Sequence, residues 1–379
     1  MFTQENIKTL ATTFANTLVE AQAAHATKSA NAALFDGTDV SFNTVSKSVG
    51  SLFLNTDRPF ANPSKQFQVK EWPLPPASIF EVDEDYLFRL DLLQDILMFL
   101  QDSMGFGLWL SGSKGTGKTS IIEQVTARLG VPLFQETGSA KTEYFDLFGM
   151  HVPVGNGKTK FMAGGLLSAM REGGVFLLNE ADAMLPSEQI KLNEVVSGKP
   201  IYVPQLEEWV YPSPEFRFVA TGNTNGNGNT NGNYLGTNKM NEAFMDRFMV
   251  VMVEHLSQDA EVRMLKGYLN KLCADKGLKG NPKFNLLAYE AMCSEMVNVA
   301  NLIRGAVINQ TGASTMLSMR GLKRWITLTV LNTKTAGMNS VKAAFMKAHG
   351  NSLSEAELLM AVELCEDVFG KAFSENEAA

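Results

Sequence analysis

Gly112-Ser113-Lys114-Gly115-Thr116-Gly117-Lys118-Thr119 is the stretch that decides the fold. It fits the pattern G-x-x-x-x-G-K-[ST] at every fixed position. An apolar segment, Phe106-Gly107-Leu108-Trp109-Leu110, precedes it, and a helical pattern follows. In that pattern Ile121, Ile122, Val125 and Leu129 share one face, and Gly130 stands as a C-terminal stop. Strand, glycine turn and helix are the context the motif requires. Unpaired N–H groups at a helix N-terminus, with the helix dipole behind them, favour an anion. Glycines let the backbone close on phosphate without a Cβ in the way. Lys118 reaches β- and γ-phosphates as a point charge, and the Thr119 hydroxyl can hold Mg²⁺. Gly112, Ser113, Lys114, Gly115, Thr116, Gly117, Lys118, Thr119 and Ser120 are therefore the candidate nucleotide-binding residues. A chance match in a glycine-containing loop is the plain alternative, and the flanking strand and helix count against it.

Working outward, Val175-Phe176-Leu177-Leu178-Asn179-Glu180 is an apolar run that ends in polar residues. Buried parallel strands read this way, and ligands gather at their carboxyl ends. A phosphate-loop hydrolase places a Mg²⁺-linked acid and a water-activating glutamate there, usually as Asp-Glu. Here the pair is Asn179-Glu180. A further strand is expected over Phe216–Thr221, ending in Gly222-Asn223. From Gly222 to Asn233 the chain contains only Gly, Asn and Thr, which predicts a mobile loop. A short helix is expected over 241–248 and an apolar strand over 249–253.

Other strands are expected over 131–134 and in two hairpins, 151–154 against 158–161 and 201–203 against 209–211. Helices are expected over 84–103, 165–172 and 187–196, and almost continuously from Ser257 to Lys371. Strands alternating with helices, then pure helix, describe an α/β domain followed by an all-α domain. The boundaries read as an N-terminal arm over 1–70, an α/β domain over 71–255 and a helical domain over 256–379. In the arm, Ile7, Leu10, Phe14, Leu18 and Ala21 suggest one amphipathic helix. Residues 36–70 are polar and aperiodic and read as a linker or irregular arm. A flexible tail and an element that docks on a neighbour are both open for this segment.

The chain has 379 residues, enough for two or three domains. A net charge of −7 argues against sequence-independent nucleic-acid binding, which needs a basic footprint. Cys273, Cys293 and Cys365 are far apart, and His25, His151, His255 and His349 form no ligand cluster. The N-terminus lacks a targeting pattern, and no apolar run reaches membrane-spanning length. The expectation is a soluble cytoplasmic chain.

These residues resemble AAA+ ATPases of the MoxR/CobS branch, which also includes chelatase motors, McrB and MCM. The likeness is strongest to the ATPase subunits of aerobic cobaltochelatases. It rests on Gly115-Thr116-Gly117-Lys118, Ile122-Glu123-Gln124-Val125, Ala127-Arg128-Leu129, Asp146-Leu147-Phe148-Gly149, and the run from Asn223 through Gly236-Thr237, Asn241 and Asp246-Arg247. It covers roughly residues 75–330. The resemblance implies a parallel sheet sandwiched by helices, with β-hairpin insertions, followed by an all-α lid. It implies ATP and Mg²⁺ as cofactors, with Thr119 and Asn179 at the metal. It implies Glu180 as the glutamate that polarises water and Asn223 as the sensor that positions it. Arg247 resembles the arginine finger offered to the adjacent subunit, and Arg320 the sensor arginine of the lid. It implies a homo-oligomer, a hexameric ring, whose hairpins face a central channel or a partner. A von Willebrand-type metal-binding protein is the expected kind of partner.

Each role has a plainer rival. Arg247 could pair with Asp246 on the surface, as isolated arginines usually do. Asn223 could simply open a loop, and Arg320 shares its helix with Lys323 and Arg324. Asn179 keeps a carbonyl oxygen for a metal-bound water but lacks the aspartate charge. Two outcomes are open for it: hydrolysis with weaker Mg²⁺ binding, or a nucleotide-binding scaffold with little turnover. The first is favoured, because Glu180, Asn223, Arg247 and Arg320 are all present. A protein-remodelling motor leads, and a nucleic-acid motor stands second, opposed by the negative charge.

Overall fold

The structure is a computed structural model that describes residues 43–72, 80–155, 157–224, 228, 238–279, 281, 284–309, 311–331, 340–370 and 373. The helix expected in residues 1–35 and most of the Gly/Asn/Thr loop lie outside the described residues. Part of the expected irregular arm is corrected. Strands β1 (Asn43–Ser48) and β2 (Gln66–Glu71) pair antiparallel around a one-turn helix, α1 (Val49–Leu52). The alternation Gln66-Phe67-Gln68-Val69 turns Phe67 and Val69 inward, and both are buried with Phe53. They pack with Leu92, Leu93 and Ile96 of helix α2 (Leu90–Gln101).

That helix starts six residues later than its periodicity predicts, because tertiary hydrogen bonds hold the preceding segment in a turn and irregular backbone. Asp83 N donates to Gln124 Oε1 at 2.8 Å, and Arg128 Nη2 donates to Asp83 O at 2.6 Å. Phe88 N donates to Asn55 O at 2.9 Å, and Leu90 N donates to the Asp57 carboxylate at 3.0 Å. Specific partners override local propensity here.

Among the described residues, the central sheet has five strands. They are β3 (Gly107–Ser111), β4 (Leu133–Thr137), β7 (Gly174–Asn179), β10 (Phe216–Gly222) and β11 (Phe248–Met252). Between them run helix α3 (Lys118–Leu129), the hairpin β5 (Gly149–Gly155) and β6 (Lys158–Ala163), and helix α4 (Gly165–Glu172). Then come α5 (Pro186–Gln189), α6 (Asn193–Val196), the hairpin β8 (Ile201–Val203) and β9 (Glu208–Val210), and α7 (Glu242–Met245). A 3₁₀ turn, Ile190–Leu192, splits the single helix expected over 187–196. The spatial order is β11-β3-β10-β7-β4, and every neighbouring pair is parallel. All residues of β3 and β10 are buried, which is why these strands read as unbroken apolar runs. Side chains alternate between two cores. Trp109, Phe176 and Phe218 face α4 and its neighbours, while Leu108, Leu110, Leu177 and Val219 face α2 and α3.

The C-terminal part is helical, as expected. Helices α8 (Gln258–Asp275), α9 (Leu286–Ile308), α10 (Met319–Leu331), α11 (Ser340–Ala348) and α12 (Glu355–Phe369) enclose a separate core around Trp325, Phe345 and Phe369. A buried pair, Arg304 Nη1 with Glu261 Oε2 at 2.7 Å, joins α9 to α8. Arg304 Nε also donates to Leu317 O at 2.9 Å, which fixes the approach to α10.

The α12 cap has a pH consequence. The Glu357 carboxylate accepts from Ser354 N (3.0 Å) and Oγ (2.7 Å), and from Ser314 N (2.7 Å) and Oγ (2.6 Å). The Ser314 hydroxyl, then the Ser354 hydroxyl, hold this carboxyl down to about 2. A depressed carboxyl stabilises the fold above its ordinary value of 4.5 and loses that contribution as pH falls toward 2. Thermal melts across that window are expected to show Glu357→Gln less sensitive to acid than the parent chain. Equal slopes would overturn this.

Candidate functional site

The carboxyl ends of β3, β7 and β10 meet at one edge of the sheet, beside the point where the strand order reverses. The glycine loop leaves β3 there and enters α3 at Lys118. Lys118 Nζ donates to Gly112 O (2.6 Å), Ser113 O (3.0 Å) and Asn223 Oδ1 (3.2 Å). Burial pushes its ammonium down to about 8, and the nearby carboxylates of Asp182 and Glu180 act the other way. Gly115 sits at φ +85°, and a Cβ on it would lie 2.4 Å from Ser318 Cβ. The lid therefore touches the loop at a point only glycine fits.

The two expected metal-side residues are brought together. Thr119 Oγ1 donates to Asn179 Oδ1 at 2.6 Å, and Thr221 Oγ1 lies 3.5 Å from the same oxygen. The Asn179 amide Nδ2 donates to Gln135 Oε1 at 3.4 Å, which turns its carbonyl toward Thr119. A hydroxyl and a carbonyl oxygen at the foot of a phosphate cradle suit a hard cation such as Mg²⁺. Among the described residues, no group of three His, Cys, Asp or Glu side chains could hold a metal ion. Thr119 and Asn179 would thus supply part of a shell that phosphate oxygens complete.

Glu180 is exposed and adopts φ 51°, ψ 40°, a left-handed conformation that costs on the order of 1 kcal/mol for a non-glycine residue. Its N–H donates to Thr221 Oγ1 at 3.1 Å. Asn223 stands at the end of β10, its amide oxygen on Lys118. Lys118, Thr119, Asn179 and Asn223 therefore form one cluster, with Glu180 beside it.

Arg247 is elsewhere. β11 runs parallel to β3 with Phe248 opposite Gly107 and Met252 opposite Ser111. Arg247 thus lies at the amino end of the sheet, about 16 Å along the strand from the loop end. Its Nη1 donates to Ala243 O, and its buried Nε has no hydrogen-bond partner. Arg320 is exposed in the first turn of α10, two residues after the Ser318 that abuts Gly115. His255, in the link between β11 and the lid, is pushed down to about 4 by burial, then by Arg304, Arg89 and Lys118. It is neutral at neutral pH in a cationic setting.

Sequence reading passed over Thr221, Gln135, Ser318 and Asp182. The signal for Asp182 was present, since it stands two residues after Glu180 in Glu180-Ala181-Asp182. Burial raises its carboxyl, and hydrogen bonds from Asn223 and Thr224 oppose the rise.

Residues 107–248 match the family described as AAA domain (dynein-related subfamily). The chain is 31% identical over 308 residues to the aerobic cobaltochelatase subunit CobS of Sinorhizobium sp, spanning 80% of this chain and 86% of that protein. It is 29% identical over 153 residues to midasin of Giardia intestinalis and 29% over 167 residues to midasin of Dictyostelium discoideum. Those matches span 40% and 44% of this chain but 3% of each midasin.

Proposed function

Since this chain belongs to the AAA+ ATPases of the CobS/MoxR branch, we propose that it hydrolyses Mg²⁺·ATP between copies of itself and uses the cycle to remodel a protein partner. The observation that carries this reading is the cluster of Lys118, Thr119, Asn179 and Asn223 at one edge of the sheet, with Arg247 at the other.

In this reading the loop N–H groups and Lys118 hold the triphosphate, and Thr119 and Asn179 face the ion. Mg²⁺, when bound, neutralises charge on the β- and γ-phosphates. Glu180 accepts the proton of the attacking water, and Asn223 orients that water. Arg247 from an adjacent copy stabilises charge that its own loop cannot receive from it. Arg320 reaches the nucleotide from the lid, so hydrolysis changes the contact near Gly115 and Ser318 and moves lid against core.

The two hairpins supply a surface for the partner. Met150, Val154 and Met162 are exposed on β5–β6, and Tyr202, Trp209 and Tyr211 on and beside β8–β9. His151 Nε2 bonds Gln205 O at 3.2 Å and joins them. A ring of six copies would line these hairpins around a channel. A von Willebrand-type metal-binding protein, within a metal-chelatase-type assembly, is the expected kind of partner. None of the helices among the described residues is long and apolar enough to cross a membrane.

Asn179 favours a second reading, a nucleotide-gated scaffold with little turnover, because a neutral amide holds Mg²⁺ less firmly than a carboxylate. Phosphate release at millimolar Mg²⁺ separates the two. Turnover above background is expected, falling about 10²–10³-fold in Glu180→Gln. Asn179→Asp is expected to reach half-maximal rate at lower Mg²⁺. A parent rate no higher than that of Glu180→Gln would overturn the hydrolytic reading and leave the scaffold.

A further inference from the structure

The turn after β7 holds a carboxylate that the scheme above does not use. Asp182 is wholly buried at the centre of the 3₁₀ turn Ala181–Ala183. Its Oδ2 accepts from Asn223 N (2.8 Å), Thr224 N (3.2 Å) and Thr224 Oγ1 (3.3 Å). Its backbone oxygen accepts from Asn238 N at 2.8 Å, and the Asn238 amide donates to Met184 O at 3.0 Å. One residue thus grips the chain both where it leaves β10 and where it returns. Gln189 Nε2 stiffens the turn itself, donating to Ala181 O (2.9 Å) and Met184 O (3.0 Å).

The other side of the sensor segment is also fixed. A Cβ on Gly222 would lie 2.3 Å from Trp109 Cζ2, and Trp109 Nε1 donates to Thr224 O at 3.4 Å. The backbone of Asn223 is therefore clamped between the Asp182 carboxylate and the Trp109 ring. Its side chain projects to Lys118 Nζ at 3.2 Å. A segment of Gly, Asn and Thr offers little apolar surface to anchor it, so these polar contacts supply the hold. Burying a carboxylate is costly unless it is hydrogen-bonded, and its second oxygen, Oδ1, is buried without a hydrogen-bond partner. A turn that only had to be closed would not need such a group.

We propose that Asp182 is a positioning residue for the nucleotide site: by gripping the backbone of Asn223 and Thr224, it sets where the Asn223 amide meets the terminal phosphate of ATP. This rests on the reading that Asn223 faces that phosphate. Asp182 touches no substrate, so its effect passes through Asn223.

The test uses the full chain carrying Glu180→Gln, which suppresses turnover, and titrates ATP and ADP separately with Mg²⁺. Asn223→Ala is expected to reduce the preference for ATP over ADP about tenfold, the worth of one hydrogen bond to a charged group. Asp182→Ala is expected to cause the same reduction with no loss of ADP affinity. The double variant Asp182→Ala/Asn223→Ala is expected to lose no more than either alone. Asp182→Asn keeps an acceptor oxygen and is expected to restore most of the preference. Asp182→Ser, which keeps a shorter acceptor, replaces the alanine variant if that one does not fold. An Asp182→Ala or Asp182→Ser chain that prefers ATP as the parent does, or an additive loss in the double variant, would overturn the inference. A parent that binds neither nucleotide would instead overturn the nucleotide-site reading beneath it.

Discussion

Alanine in place of Lys118 is expected to bring ATP binding below detection while the fold persists. Lys118 Nζ holds the loop carbonyls of Gly112 and Ser113 and the Asn223 amide oxygen; in the proposed site the same three donors would serve phosphate. Hydrogen bonds from a charged donor contribute about 1.5–3 kcal/mol each, so losing two or three weakens binding by on the order of 10³-fold or more. A second effect adds to the first. Lys118 is the cation facing Asp182 and Glu180. Without it, a triphosphate would meet two carboxylates with less positive charge between them. Calorimetric titration of Lys118→Ala with Mg²⁺·ATP reads this directly. An affinity within tenfold of the parent would show that the loop is not the phosphate site.

Arg247→Ala is expected to leave ATP affinity within about threefold and to cut turnover by about 10³-fold, the scale of arginine fingers in phosphoryl transfer. Register separates the two effects. β11 pairs with β3 along five residues, and Arg247 precedes the first of them. Its backbone therefore stands about a strand length from the loop of its own chain, and its Nη1 donates to Ala243 O. In the proposed mechanism, the phosphate it serves would belong to another copy. Mixing Arg247→Ala with Glu180→Gln tests this, since each alone is expected to turn over at least about 10²-fold more slowly than the parent. A mixed seam can pair the intact glutamate of the first with the intact arginine of the second. Partial recovery is expected. Undiminished turnover in Arg247→Ala, or mixtures no better than either component, would sink the shared-seam mechanism.

Much of the α/β core was legible because its signals are local. Buried parallel strands read as apolar runs, and Gly165 to Glu172 formed the helix its pattern required. The glycine loop, Asn179 and Asn223 were found for the same reason, since each sits at a strand end marked by a change to polar residues. What escaped depended on distant partners. The segment before Leu90 has helical spacing but is held out of helix by Gln124, Arg128 and Asn55, none of them close in sequence. Phe67 and Val69 carried a period of two that was too short to stand out among polar neighbours. Asp182 went unread until the fold brought Asn223 onto it, 41 positions away.

The antiparallel pair before α2 bears on how this molecule could be dissected. Its Phe67 and Val69, with Phe53, cover one face of α2, and the Thr56 and Asp57 carbonyls accept from Arg263 Nη2 of the first lid helix at 3.4 and 3.2 Å. Arg89, just before α2, donates to Glu254 O where the lid departs. The leading segment thus ties the α/β core to the helical domain at the joint between them, where, in the proposed cycle, a nucleotide would exert leverage. Trimming the polypeptide to its family-matching span would discard that tie together with the helical domain. If the proposed cycle holds, a shortened piece that still gripped ATP would idle, with nothing left to transmit a stroke.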